Sequence, residues 1–372
     1  MNIDVDICVV GAGPAGLSFA LSFPEKKKVL VLEKEFFPRD KICGGGLIPK
    51  SVKLLHKLGV IPGRDFTANK VKRIVFSCDI GERVFDVSDK NFMVTRRIEM
   101  DFALFKKAKE EGVKIEEGVK FLGYEQSYDG RIIVVRTNKG NISCKKLVIA
   151  MGSYFKRNSY KAVRWFENNR SDEMLFSIRN FDGEFAWFWK FDGCEFSDIG
   201  LMSINGNLKK VNSALNSNFK KDFFVINKFS PKNKLRKGNV FFIGDSYGVD
   251  TLTAEGISSA LHQGIILSRI LQANPSLLSF RSFSLFYLSG LFRRFVIFYL
   301  FSNFFYGNEK FINLAKKVLL SDDFSRFFSN LKFESDGKIS QILEFLKITS
   351  KTYIKDALPL RVLVNLNKSE FK

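Results

Sequence analysis

The stretch VDICVVGAGPAGLSFALSF, residues 5–23, restricts the fold more than any other part of the chain. Its apolar run predicts a strand buried on both faces, and such strands belong to parallel sheets covered by helices. Gly11, Gly13 and Gly16 then spell G-x-G-x-x-G at the start of helix-forming sequence. Gly11 permits the tight turn, Gly13 lets a pyrophosphate approach the backbone, and Gly16 lets helix and strand pack closely. With Pro14 and Ala15 they form a cradle at a helix N-terminus, where free N–H groups and the positive dipole end attract phosphate. A second apolar strand, KVLVLE, ends at Glu33, 22 residues after Gly11. A carboxylate there accepts hydrogen bonds from ribose hydroxyls; Lys34, next to it, is a further cofactor-contact candidate. Strand, glycine turn, helix, strand and acid, in that order, predict a dinucleotide-binding unit. They do not separate NAD from FAD.

A distant second motif does. In NVFFIGDSYGVDTLTAEGISSALHQGIIL, residues 239–267, an apolar strand ends in Gly244-Asp245. A carboxylate after a strand can hold a polyol chain. Glu255-Gly256-Ile257 then opens a helix with apolar residues at Ile257, Ala260, Leu261, Gly264 and Ile265. The helix N-terminus at Gly256-Ile257 can stabilise negative charge on a ring. An extended cofactor with a ribityl chain and an electron-accepting ring satisfies both, which favours FAD.

Composition excludes other classes. The net charge is +20, but the basic pairs are scattered and no nucleic-acid module is visible. A solvated lysine-rich surface accounts for the charge; peripheral attraction to an anionic membrane is the sharper alternative. The 5 cysteines have no paired or metal-like spacing, and 2 isolated histidines make no metal site. No secretory signal precedes the first strand, and no apolar run has the length of a membrane span. The expectation is a cytoplasmic, reduced protein compatible with the membrane periphery. The 41 phenylalanines exceed what a core needs, so some are expected to line an apolar cavity.

DKICGGGLIP, residues 40–49, makes a poor strand and a poor helix, and its bare backbone demands a neighbour that needs it. GAGPAG, Glu33, FPRDKICGGGLIP, TRRIEMDFALFKKA and FFIGDSYGVDTLTAEGI resemble, in this order, the FAD-dependent geranylgeranyl reductase family, which has the p-hydroxybenzoate-hydroxylase fold. The resemblance covers residues 1–270. It implies that the three-glycine loop runs beside the isoalloxazine ring, with Cys43, Gly44, Gly45, Gly46 and Leu47 touching the flavin largely through backbone. It implies that Arg97, with Arg96 as the alternative, contacts the pyrophosphate or ribityl side. Asp101 is read as the start of that helix. Residues 183–202, GEFAWFWKFDGCEFSDIGLM, are similar to the family's aromatic strand, so Phe185, Trp187 and Trp189 would wall the substrate pocket. Alternating aromatics on a half-buried sheet give the same spacing.

Several positions depart from the family pattern. Met151-Gly152 replaces an Asp-Gly, Thr251 and Ala254 stand where Pro and Gly are usual, and the loop after Asp245 is one residue shorter. Phe185 replaces a tyrosine and Lys190 a proline. These changes cluster where a substrate would lie.

The expected architecture is α/β. A Rossmann-type, p-hydroxybenzoate-hydroxylase-like FAD-binding domain spans residues 1–60, 97–155 and 237–275. An antiparallel β substrate domain, 61–96 and 156–236, is inserted into it, and a mainly helical region follows over 276–372. The aromatic segment 285–307, interrupted by Arg293-Arg294, reads either as a packing helix or as the apolar wall of a lipid tunnel or interface. The resemblance implies reduction of C=C bonds in an isoprenoid or lipid-like substrate by hydride from reduced flavin. Cys43 is the candidate acid, and the electron donor is not specified. Two alternatives stand beside it. WFWKF partly matches a W-x-W-x-I-P pattern, which suggests a monooxygenase or halogenase of an aromatic substrate. The altered loops suggest a degenerate, non-catalytic flavin- or lipid-binding protein.

Overall fold

The computed structural model describes residues 4–153, 159–168, 171–181, 183–193, 195–204, 221–272, 309–331 and 339–354, with Phe295, Val296, Tyr299 and Ser302. The first strand, Val5–Val10, lies at the centre of an eight-stranded sheet. It pairs in parallel with Val29–Leu32 on one side and Gly140–Ile149 on the other. Lys114–Glu116 and Val240–Phe242 continue the parallel order outward. Side chains alternate across the strands. Val9, Val31 and Val148 enter the helix-covered core, while Cys8, Val10, Leu30, Leu32 and Ile149 enter the core on the opposite face. The continuous apolar runs of the sequence are the signature of this two-sided burial.

Two helices cover the centre of that sheet, Pro14–Ser22 and Ile257–Gln272. Their contact is unusually close. A Cβ on Gly264 would lie 2.1 Å from Ser18 Oγ and 2.5 Å from the Ala15 carbonyl oxygen. This backbone approach draws the helix after the second motif onto the helix after the first.

A seven-stranded sheet forms the second layer, in the order 222–227, 159–167, 197–203, 184–192, 173–181, 73–78, 81–86. Its pairs are antiparallel except that Glu173–Phe181 runs parallel to Arg73–Cys78. A small third sheet joins Gly46–Leu47, Met93–Thr95 and Ala68–Lys70. Helices Glu309–Leu320, Asp322–Asn330 and Ile339–Ile354 make up the described C-terminal region.

Many phenylalanines serve this last junction. Phe76 and Phe85 of the sheet meet Phe324 and Phe328 of the helices at ring separations of 4.3–6.2 Å, and Phe176 stacks on Phe76 at 5.5 Å. Of the segment 285–307 only four residues are described; Phe295 is buried against Phe229, and Arg293-Arg294 lie outside the described residues. Among the described residues no helix is long and apolar enough to cross a membrane.

Replacing Gly264 by Ala should force the two covering helices apart and lower stability by about 1–3 kcal/mol, as overpacking does. Urea unfolding with an unchanged slope and a lowered midpoint would report it.

Candidate functional site

The glycine turn is held by backbone geometry that side chains would spoil. Gly11 has φ +103°, and a Cβ there would lie 2.4 Å from the Ala150 carbonyl oxygen. A Cβ on Gly16 would lie 2.0 Å from the Gly11 carbonyl oxygen. Pro14 occupies the first helical turn, and no side chain caps the helix. Buried Glu33, the ribose-binding candidate, accepts from the Ala12 N–H at 2.9 Å, so one of its carboxylate oxygens also braces the glycine turn. The Lys34 side chain is largely exposed and pairs with Glu35.

A cation also touches the turn, Arg39, which the sequence motifs did not single out. Its Nη2 donates to the Ala12 carbonyl at 3.2 Å and to Glu33 Oε2 at 3.3 Å. Its Nη1 donates to Asp101 Oδ2 at 2.9 Å, while its buried Nε has no partner. A Cβ on Gly13 would have only the Arg39 guanidinium near it, at 3.8 Å. An uncapped helix end, an open glycine and an orphaned guanidinium N–H suit a pyrophosphate.

Asp101 does not start its helix. The helix runs Arg97–Glu110, so Asp101 sits one turn inside it and is fully buried. The reason is pairing: Arg97 Nε and Nη2 donate to its two oxygens at 2.8 and 2.7 Å. Burial pushes the Asp101 carboxyl up, but Arg97, with Arg39 and Lys41 behind it, outweighs burial and holds the carboxyl below its ordinary value. Arg97 also has the Cys43 thiol against its guanidinium. It reaches the glycine turn through Asp101 and Arg39. Arg96 instead stacks over Phe196 at 5.0 Å.

The three-glycine loop is pressed between layers. Gly45 has φ +69°, and a Cβ on it would lie 1.9 Å from the Thr95 carbonyl oxygen. A Cβ on Gly44 would lie 2.9 Å from Trp189 Nε1, and one on Gly46 would lie 3.0 Å from the Phe191 ring. Leu47 is fully buried, and Cys43 Sγ accepts from the Gly45 N–H at 3.5 Å. The bare backbone is therefore required by the aromatic strand beneath it, whatever lies on its other side.

The second motif joins the same place. Lys41 Nζ meets Asp245 Oδ2 at 2.8 Å, and Ser153 Oγ lies 3.4 Å from that oxygen. Burial pushes Asp245 up, but Lys41 and then Arg97 hold it below the ordinary carboxylate value. Gly244 donates its N–H to Gln263 Oε1 at 2.9 Å, and a Cβ on it would lie 2.8 Å from Ala15 Cβ. A Cβ on Gly256 would lie 3.3 Å from Asp245 Oδ1. Glu255, which the sequence places at the opening of the helix, accepts from the Ser258 N–H at 2.6 Å and so caps the helix that begins at Ile257. Residues 11–16, 39–47 and 244–257 thus converge.

The aromatic strand divides its expected wall. Trp187 and Trp189 pack with Tyr160, Met202, Phe224, Ile226 and Ala254, which brings the 250–256 loop onto the sheet. Phe185, on the same face but further along, packs with Ile178, Ile204 and Ile312 under the helix Glu309–Leu320. Ala254 stands at φ +55°, where the family pattern has glycine. Among the described residues no His/Cys/Asp/Glu group could hold a metal ion. A cavity of about 430 Å³ opens elsewhere, between Arg64–Ala68 and Glu99, Phe102 and Lys106, and shares no residue with this site.

Residues 4–153 match the family described as FAD binding domain. Menaquinone reductase of Mycobacterium tuberculosis is 31% identical over 176 residues, which cover 44% of this chain and 42% of that protein. The chain thus spans less than half the length of this curated relative. A geranylgeranyl bacteriochlorophyll reductase-like protein of Thermoplasma acidophilum superposes with a TM-score of 0.69 at 17% identity, over 95% of this chain and 97% of that one. A flavin-dependent halogenase superposes with a TM-score of 0.63 at 15% identity, over 94% of this chain and 78% of its own. These structures share the fold. Residues 4–153 are thus an FAD-binding domain, the cofactor is FAD, and the chain as a whole has the fold of these structures.

Removing the Asp101 carboxylate should leave the buried Arg97 guanidinium without its carboxylate, take from Arg39 one of its two, and cost about 3–5 kcal/mol. Because its native pKa is depressed, Asp101 contributes fully above the unfolded carboxylate value of about 4, and the contribution fades as pH falls through the native value. The stability gap between wild type and Asp101→Asn, read by thermal unfolding, should therefore narrow only in acid. Ala254→Gly should relieve the left-handed backbone and raise stability by about 0.5–1 kcal/mol, read as a higher melting temperature.

Proposed function

We propose that this flavoprotein is an oxidoreductase that reduces a C=C bond of an apolar, isoprenoid- or lipid-like substrate. The observation that carries this reading is the wall opposite the glycine loop. Trp187, Trp189, Met202, Phe224 and Ile226 pack as one apolar cluster that meets the glycine loop at Gly44 and the second-motif loop at Ala254. Such a face orients a hydrocarbon by burial and excludes water from it. The names of the relative, a menaquinone reductase, and of the Thermoplasma structure, a reductase-like protein, support the same class.

Arg39, the uncapped helix at Pro14 and the Gly13 backbone would hold the FAD pyrophosphate; Glu33 would hold a ribose, and Asp245 the ribityl chain. FAD, when reduced, supplies hydride. The chain itself binds and orients. Arg97 sets its guanidinium against Cys43 in the loop, and Lys41 ties that loop to Asp245. The electron donor is external.

The halogenase or monooxygenase alternative retains one specific support, the WFWKF stretch on a fold that a halogenase shares. The two readings separate in one experiment. Holoprotein reduced by dithionite without oxygen should reoxidise on adding a polyprenyl alkene and yield a product heavier by two hydrogens. Flavin reoxidation only by oxygen, with peroxide or a hydroxylated or halogenated aromatic product, would replace the reductase reading with the second. A purified protein without a flavin absorption band, and without a gain in melting temperature on adding FAD, would overturn both.

A further inference from the structure

We infer that Asp198 and Arg164 are positioning residues that seat the glycine loop on Trp189, and that the seating follows the proton Asp198 takes up or releases. The inference rests on the reading that this loop bounds the reacting site.

The Trp189 indole is clamped between two glycines of different layers. A Cβ on Gly200 would lie 2.0 Å from Trp189 Cζ2, and one on Gly44 would lie 2.9 Å from its Nε1. That Nε1 donates to Asp198 Oδ1 at 2.9 Å. Asp198 is buried, two residues before Gly200 on the same strand. Its other oxygen lies 3.6 Å from Arg164 Nη1, which also donates to the Cys43 carbonyl at 3.4 Å. Arg164 Nη2 donates to Asp40 at 3.0 Å and to Asp222 at 3.1 Å. One buried guanidinium thus joins three neighbouring strands to both ends of the loop stretch 40–43.

The charges facing Asp198 are Arg164 from the strand beside it, Asp222 from the strand beyond, and Asp40 from the loop. Asp198, Asp40 and Asp222 compete for one cation. Asp40 and Asp222 are partly exposed to solvent. Asp198 is the buried one: burial pushes its carboxyl up to about 7, although the Trp189 N–H and Arg164 favour its anion. Protonated, Asp198 leaves Arg164 to the Cys43 carbonyl and Asp40. Ionised, it draws Arg164 from the loop. The loop is therefore held on the acid side of neutrality and loosened on the basic side. Stability follows the same sign: the raised native value means stability falls as pH rises from the ordinary carboxylate range through about 7.

The test needs no substrate. Tryptophan emission of the FAD-loaded protein is followed from about pH 5 to about pH 9, a range that brackets the neutral titration. A step with its midpoint near 7 is expected in wild type, and its absence in Asp198→Asn and in Trp189→Phe. The Trp189→Phe variant keeps Trp165 and Trp187, so it isolates the reporter. The same step persisting in Asp198→Asn would overturn the inference. Should that variant not fold, Arg164→Gln decides: losing the cation that favours the anion should move the midpoint up by about half a unit or more, and an unmoved midpoint overturns the inference. In alkene reduction, the wild-type kcat should bend at the same pH and that of Asp198→Asn should not. If wild type reduces no alkene, the functional reading fails while the emission step still judges the positioning.

Discussion

One buried carboxylate holds the cofactor side of this molecule together. Asp101 has no water to ionise into, so its charge exists only because Arg97 and Arg39 face it. Each of those cations carries a second contact outward. Arg39 reaches the glycine turn and Glu33, and Arg97 reaches Cys43 in the three-glycine loop. The first turn, the loop after the second strand and the helix Arg97–Glu110 are therefore fixed relative to one another through a single electrostatic centre. In a low-dielectric interior such a centre is stiff, because displacing any member exposes an uncompensated charge.

Glycine supplies the complementary constraint. Backbone meets backbone at Gly11 and Ala150, at Gly16 and Gly11, and at Gly264 and Ala15. At Gly44 and Gly200 backbone meets the two sides of one indole. The two layers can approach only because these positions carry no side chain, so the distance between cofactor loop and substrate sheet is set by steric contact. Charge then fixes lateral position: Lys41 to Asp245, and Arg164 to the Cys43 carbonyl.

The abundance of phenylalanine has a more ordinary outlet than a cavity. The Phe76, Phe85, Phe176, Phe324 and Phe328 cluster glues the outer hairpin of the second sheet to the C-terminal helices. Phe185, expected at the substrate wall, belongs to the same side of the molecule. It shares the face of Trp187 and Trp189 but sits further along the strand, and strand alternation fixes the face, not the distance to the loop.

Local sequence by itself determined the parallel sheet, the glycine turn with Glu33 behind it, the strand ending at Gly244-Asp245 and the helix after it. Each follows from short-range rules: apolar runs, positive-φ glycines and helix starts within one stretch of chain. Tertiary structure alone decided the roles of Arg39, Asp101, Arg164 and Asp198. A charged side chain in sequence looks the same whether it ends in solvent or in a buried network, because its partner lies 27, 62 or 121 positions away and only folding brings them together. The DKICGGGLIP stretch shows both sides at once. Its lack of side chains announced a close approach; which neighbour approaches, Trp189 and Phe191 of the second sheet, was settled only when the layers met.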